Sequence, residues 1–112
     1  MILNKENRSY PRMKINFKID YTKKGDAETI HSKTHDISAT GVSFISESIL
    51  APGDSVSLKI LLEELGISIK AQAVVIRSWN ESNHVITSVQ FSDIDYHDFI
   101  RLLDYSLAFQ AD

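Results

Sequence analysis

The chain has 112 residues, a formal net charge of −3 and no cysteine. That length supports one hydrophobic core rather than two, and the lack of thiols excludes disulfides, thiolate metal sites and cysteine nucleophiles. Met1 to Leu3 runs directly into Asn4-Lys5-Glu6-Asn7-Arg8 with no apolar targeting core, and no later stretch approaches the roughly eighteen apolar residues of a membrane span. A cytoplasmic protein without membrane insertion is expected.

The charge is unevenly spread. Residues 1 to 24 carry seven basic and two acidic side chains, and the remainder five and thirteen. A basic leader on an acidic body suits a small polyanion better than a long duplex, which demands a wide cationic face. The lysines at alternating strand positions, Lys14 and Lys18, read as a solvated face.

Residues 1–12 read as a flexible arm, low in apolar content and held extended at Tyr10 by Pro11. From Lys14 the pattern switches: Ile15, Phe17, Ile19 and Tyr21 alternate with polar residues, the period of two of a half-buried strand. Lys23 to Asp26 is a turn, and residues 28–35 form a β-prone second strand with a largely exposed face. A loop over Asp36 to Gly41 leads to a third strand, Val42 to Ser46. Ala51-Pro52-Gly53-Asp54 is a strong turn, since Pro presets φ and Gly tolerates positive φ.

Strand four begins near Ser55, with Val56, Leu58, Ile60 and Leu62 alternating until Glu63 to Gly66 reverses the chain. Ile67, Ile69, Ala71, Ala73 and Val75 alternate toward Trp79 as the second arm of a long hairpin. Asn80 to Asn83 turns again, and Val85, Thr87, Val89 and Phe91 make the last strand. Six antiparallel strands at short spacing predict a closed or nearly closed barrel, which removes exposed edges. Beyond it, Tyr96, Phe99, Ile100, Leu102, Leu103 and Leu107 recur at three- and four-residue steps. They predict an amphipathic helix over about 95–109, capped by Asp93 or Asp95, whose stripe plugs a barrel end.

Two motifs bear on function. Arg8 and Arg12 form Arg-x-x-x-Arg, and Asp36, Ser38 and Gly41 form Asp-x-Ser-x-x-Gly. A guanidinium forks onto guanine O6 and N7, clamps a phosphate or stacks on a base. A carboxylate accepts hydrogen bonds from guanine N1–H and the amino group, and a serine hydroxyl bonds a phosphate or base edge. Gly41 allows positive φ or a close ligand approach. Either motif alone is a weak signal; both, in this order and with this strand pattern between them, are specific.

On these residues the chain, from Arg8 to the C-terminal helix, resembles the PilZ domain family. The resemblance implies a split-type, six-stranded barrel over residues 13–112 and a bacterial receptor for cyclic di-GMP, with Arg8, Arg12, Asp36, Ser38 and Gly41 as ligand-binding residues. It does not imply the downstream partner; a separate effector protein is expected because no output domain is fused, with flagellar, pilus or exopolysaccharide machinery as the candidate systems to which the resemblance points. Thr40 and Ser88 stand where such domains often carry glycine. Asn7 precedes the first arginine, at a position bearing on whether one nucleotide or a stacked pair is bound.

A PilZ-like interaction subunit without nucleotide affinity is the alternative, and a barrel for single-stranded nucleic acid would need basic and stacking residues across a strand face. No cofactor, metal or nucleic acid is expected: His31 and His35 on one strand are ~13 Å apart, too far to share a metal. The chain offers no activated nucleophile and no Gly-rich loop entering a helix, so it is not read as an enzyme. Tyr10 is expected to pack on its own barrel, and Trp79 either walls the ligand site or closes the barrel.

Overall fold

The computed structural model describes residues 10–110. Six strands follow in order, β1 (Lys18–Lys23), β2 (Ile30–Ile37), β3 (Gly41–Ser46), β4 (Ser55–Leu62), β5 (Ile67–Glu81) and β6 (His84–Ile94), before one helix, α1 (Tyr96–Gln110). They close into an antiparallel barrel in the ring order β1-β2-β3-β6-β5-β4, as the strand pattern predicts.

The alternation along each strand builds the interior. Ile19 and Tyr21 from β1, Val42 and Phe44 from β3, Val56, Leu58, Ile60 and Leu62 from β4, and Val89 and Phe91 from β6 share one buried cluster. The Tyr21 and Phe44 rings meet at 4.6 Å between centroids. The Pro-Gly turn has Gly53 at φ +93, the left-handed corner that its sequence demands. The β5–β6 hairpin turns on Ser82 and Asn83, both at positive φ (48 and 70), as a two-residue loop matched to strand twist requires. The strands therefore run on to Glu81 and His84, past the expected limits.

The first strand begins later than its alternation suggests. Regular pairing starts at Lys18 rather than Lys14, because the side chain of Thr34 stands in for the ladder. Its hydroxyl donates to the Ile15 carbonyl (2.5 Å) and accepts from the Phe17 N–H (2.8 Å), while Asn16 donates to the Thr34 carbonyl (2.7 Å). The inward alternation nevertheless persists, with Met13 and Phe17 in the core. Met13 also exchanges two backbone hydrogen bonds with Ile37 (2.7 and 2.9 Å).

The helix begins where Asp95 Oδ1 accepts from the backbone N–H groups of His97 (2.8 Å) and Asp98 (3.4 Å), which settles the cap. Phe99 and Leu102 join the barrel core. Phe99 also meets Tyr10 edge-on at 5.8 Å and Tyr105 meets Phe17 at 6.1 Å, so the helix covers the end of the barrel and Tyr10 packs on it. Among the described residues no helix is long and apolar enough to cross a membrane.

Two outcomes test this packing. Leu102 is fully buried, so Leu102→Ala should cost about 2–5 kcal/mol in urea unfolding; an unchanged midpoint would mean that the helix is not integral to the core. Burial pushes the Tyr21 phenol above its ordinary 10.0, although the Glu47 N–H bond to it opposes the shift. A raised folded value contributes stability below pH ~10 that is lost as pH rises further. Tyr21→Phe should flatten that alkaline loss in a pH series of thermal melts.

Candidate functional site

Strict alternation would bury Asp36. Thr34, two residues earlier, is fully buried, and a period of two would send Asp36 to the same face. An irregularity between Thr34 and Asp36 breaks the period: Thr34 pairs with Phe44, but Asp36 pairs with Ser43. His35 is thus an extra residue, a β-bulge that turns Asp36 outward and Ile37 inward. Ile37 is fully buried, as that geometry requires.

The same device recurs on β5. Val75 points into the core and pairs with Val89, and after a second bulge Arg77 pairs with Ser88. Ile76 is the extra residue, 50% exposed. Arg77 therefore faces outward, while Ser78 faces inward and shares hydroxyl contacts with the buried Thr87 (2.6 Å). Since β3 and β6 pair Ser43 with Ser88, the outer wall carries one row across four strands: Asp36, Ser43, Ser88, Arg77. At usual strand spacing it spans ~14 Å.

Arg12 closes the near end of the row. Its Nε and one terminal nitrogen donate to Asp36 Oδ1 (3.1 and 2.6 Å), and that nitrogen also reaches Ser43 Oγ (3.4 Å). The contact follows from the backbone: the Met13–Ile37 bridge fixes the residue before each on the outer face, diagonally adjacent. At the far end the Arg77 guanidinium lies 4.4 Å from the centroid of the Trp79 ring, a cation–π contact. Trp79 is half-buried on the outer wall and pairs with Ile86, which itself pairs with Ile45. It does not belong to the interior cluster and so does not close the barrel.

The result is a shallow floor of two serines between two guanidinium groups, with one carboxylate and one indole beside them. Such an array offers bidentate donors, an acceptor and a stacking face to a planar, anionic ligand. Of the site residues that the sequence suggests, the fold brings Arg12 and Asp36 into direct contact. The sequence did not single out Arg77 or Ser43, which share the outward row with Asp36. The clue for Arg77 was a broken alternation, Val74-Val75-Ile76 followed by Arg77-Ser78-Trp79, which is legible as a bulge only once β6 supplies the register. Arg8 lies outside the described residues, as does most of the 1–12 arm. Among the described residues no group of three or more metal-ligating side chains occurs.

Ser38 and Gly41 take positions different from a simple open loop. The connection is only Ser38 to Thr40, closed by the Ser38 N–H donating to the Gly41 carbonyl (2.8 Å). Ser38 is 1% exposed, with its hydroxyl accepting from the Thr40 N–H (3.2 Å) and contacting Thr40 Oγ1 (3.2 Å). Gly41 does not adopt positive φ. The close approach comes from the protein itself: a Cβ there would lie 2.4 Å from the Val89 carbonyl oxygen. Glycine is needed so that β6 can lie against β3. Gly41→Ala should therefore lower stability by about 1–3 kcal/mol, the scale of overpacking, measured by urea unfolding. Wild-type stability would show that the strands yield without cost.

The PilZ domain family matches residues 6–108. Among solved structures, the Bacillus subtilis inhibitor of motility MotI/DgrA is similar at TM-score 0.83 and 25% identity, over 96% of this chain and 52% of that one. The PilZ domain of YcgR from Escherichia coli, solved with c-di-GMP, aligns at TM-score 0.69 and 16% identity over 92% and 91%. The MrkH–c-di-GMP complex of K. pneumonia aligns at 0.74 and 19% over 96% and 53%. The chain thus spans about half the length of MotI and MrkH. A search of curated proteins finds no match. With the family matching nearly its whole length on a closed six-stranded barrel with a C-terminal helix, the chain belongs to the PilZ domain family.

Proposed function

We propose that this protein is a cyclic di-GMP receptor that passes the signal to a separate effector protein. The observation that carries the reading is the Arg12–Asp36 pair at the head of an outward row that ends in Arg77. Family membership and the two similar PilZ proteins solved with c-di-GMP support it. The MotI likeness favours a motility system for the effector.

In this reading Arg12 forks onto a guanine edge or phosphate, Arg8 supplies a second guanidinium, and Asp36 accepts from guanine N1–H and the amino group. Ser38 and Gly41 shape the rim, Ser38 through its bonds to Thr40 and Gly41 by admitting β6. Trp79 and Arg77 offer a stacking face at the far end. Before ligand arrives, Arg12 and Asp36 satisfy each other. Arg12 is 43% exposed but Asp36 only 17%, so the pair lies between a solvent-screened surface pair and a buried one. Nucleotide binding would replace these hydrogen bonds with a bidentate guanine contact, which discriminates against other bases by about 1–3 kcal/mol.

Isothermal titration with cyclic di-GMP tests the reading. Arg8→Ala, Arg12→Ala and Asp36→Ala should each lose about 1–3 kcal/mol of binding, with unfolding curves close to wild type. Wild-type affinity in all three would contradict the assigned roles. No heat from the wild-type protein would favour an interaction subunit without nucleotide.

A further inference from the structure

Ile86 faces outward on the wall that carries the candidate site. Its neighbour Thr87 is fully buried, and Ile86 itself pairs with Ile45 on one side and Trp79 on the other. An outward isoleucine on an open wall meets water. Ile86 is only 3% exposed and does not belong to the interior cluster, so it is covered from outside.

One contact shows how the cover forms. His35 Nε2 lies 3.6 Å from Glu81 Oε2, although β2 and β5 are not neighbours in the ring. Strands β3 and β6 lie between them, and a flat sheet would hold the two backbones ~14 Å apart or more. The wall therefore curls about Ile45 and Ile86. The two bulges are the cause, since a bulge bends its strand and adds twist. The one at Ile76 sits at the base of the segment that carries Trp79 and Glu81, and the one on β2 contributes His35 itself as the extra residue.

The pair brackets the candidate site. His35 is next to Asp36, which Arg12 holds at the head of the row. Glu81 lies two residues beyond Trp79 and four beyond Arg77, at the far end. Although His84 stands directly opposite Glu81 on β6, the Glu81 carboxylate reaches across to His35 instead. The two side chains are 34% and 48% exposed, so the fold does not need the contact as it would need a buried pair.

We propose that His35 and Glu81 form a clasp that sets the gap between the Arg12–Asp36 head and the Arg77–Trp79 end, and so act as positioning residues for the ligand held between them. The inference rests on the nucleotide reading of that row. Neither residue has to touch the ligand. With the clasp closed, the indole face and the Arg12 fork sit at one separation; with it open, the hairpin end swings and the row loses its match to a ligand of fixed length. Geometry set in advance raises affinity by removing the cost of ordering the site on binding.

The test uses the full chain at about pH 5.5, where histidine is largely protonated and glutamate largely ionised, with two readouts. The first needs no nucleotide: Trp79 is the single tryptophan, so its emission reports the hairpin end. Glu81→Lys, which sets two cations against each other, should shift that emission to longer wavelength as the indole gains water. Combining it with His35→Glu should return the emission, which excludes a direct effect of the new lysine on the indole, and His35→Lys alone should match wild type. Urea unfolding of each variant should stay near wild type, because neither side chain is buried.

The second readout is titration with cyclic di-GMP. Glu81→Lys should weaken binding about threefold to fivefold, the scale of a partly exposed ion pair. Charge attraction alone predicts the opposite sign, because an added lysine near the row draws a phosphate. The clasp is overturned if Glu81→Lys leaves the emission unchanged, if the combined variant fails to restore it, or if Glu81→Lys binds nucleotide as tightly as wild type or more tightly. Absence of binding by the wild type overturns the nucleotide reading and with it the use of the clasp for this ligand, and the emission readout tells that failure from failure of the clasp itself.

Discussion

A β-strand assigns its residues to two faces by parity, and a closed barrel makes that assignment unforgiving because one face is the core. The outward row proposed to take the nucleotide depends on breaking parity at two places. His35 on β2 and Ile76 on β5 are the extra residues. Without the first, Asp36 would be driven toward Phe44 and the fully buried interior. Without the second, Arg77 would follow Val75 inward. The bulges lie on the two strands that flank the central β3–β6 pair, so each delivers one charged side chain to the same outward row.

Between these charged ends the pair β3–β6 must be flat and close. Ser43 and Ser88 keep the outer surface low, and Gly41 removes the one Cβ that would collide with the Val89 carbonyl. The buried Ser38–Thr40 connection holds the head of β3 in place. The signature residues therefore divide by position. Arg12 and Asp36 present chemistry to solvent, whereas Ser38 and Gly41 hold the geometry that presents it.

Much of this was legible in the sequence because it is periodic. The alternation from Ile15 to Tyr21 and from Val56 to Leu62, the Pro52-Gly53 turn and the helical spacing from Tyr96 to Leu107 each report a local rule, and six strands and a helix followed from them. Local rules did not reveal that Thr34 would satisfy residues 15 to 17 with its hydroxyl and delay β1 to Lys18. They also could not separate a positive-φ glycine from one crowded by another strand, since the crowding atom at Gly41 is 48 residues away at Val89. Arg77 was hidden for the same reason: a bulge exists only relative to the partner strand. The meeting of His35 with Glu81 was hidden too, because β2 and β5 are not neighbours in the ring.

The most direct test of the central claim is a map of amide chemical shifts as cyclic di-GMP is titrated into the isotopically labelled protein. The account predicts changes centred on Asp36, Ser43, Ser88 and Arg77, with Lys18, Lys59 and Lys70 on the opposite wall unmoved. Changes centred on that opposite wall, with the bulge-built row silent, would contradict it.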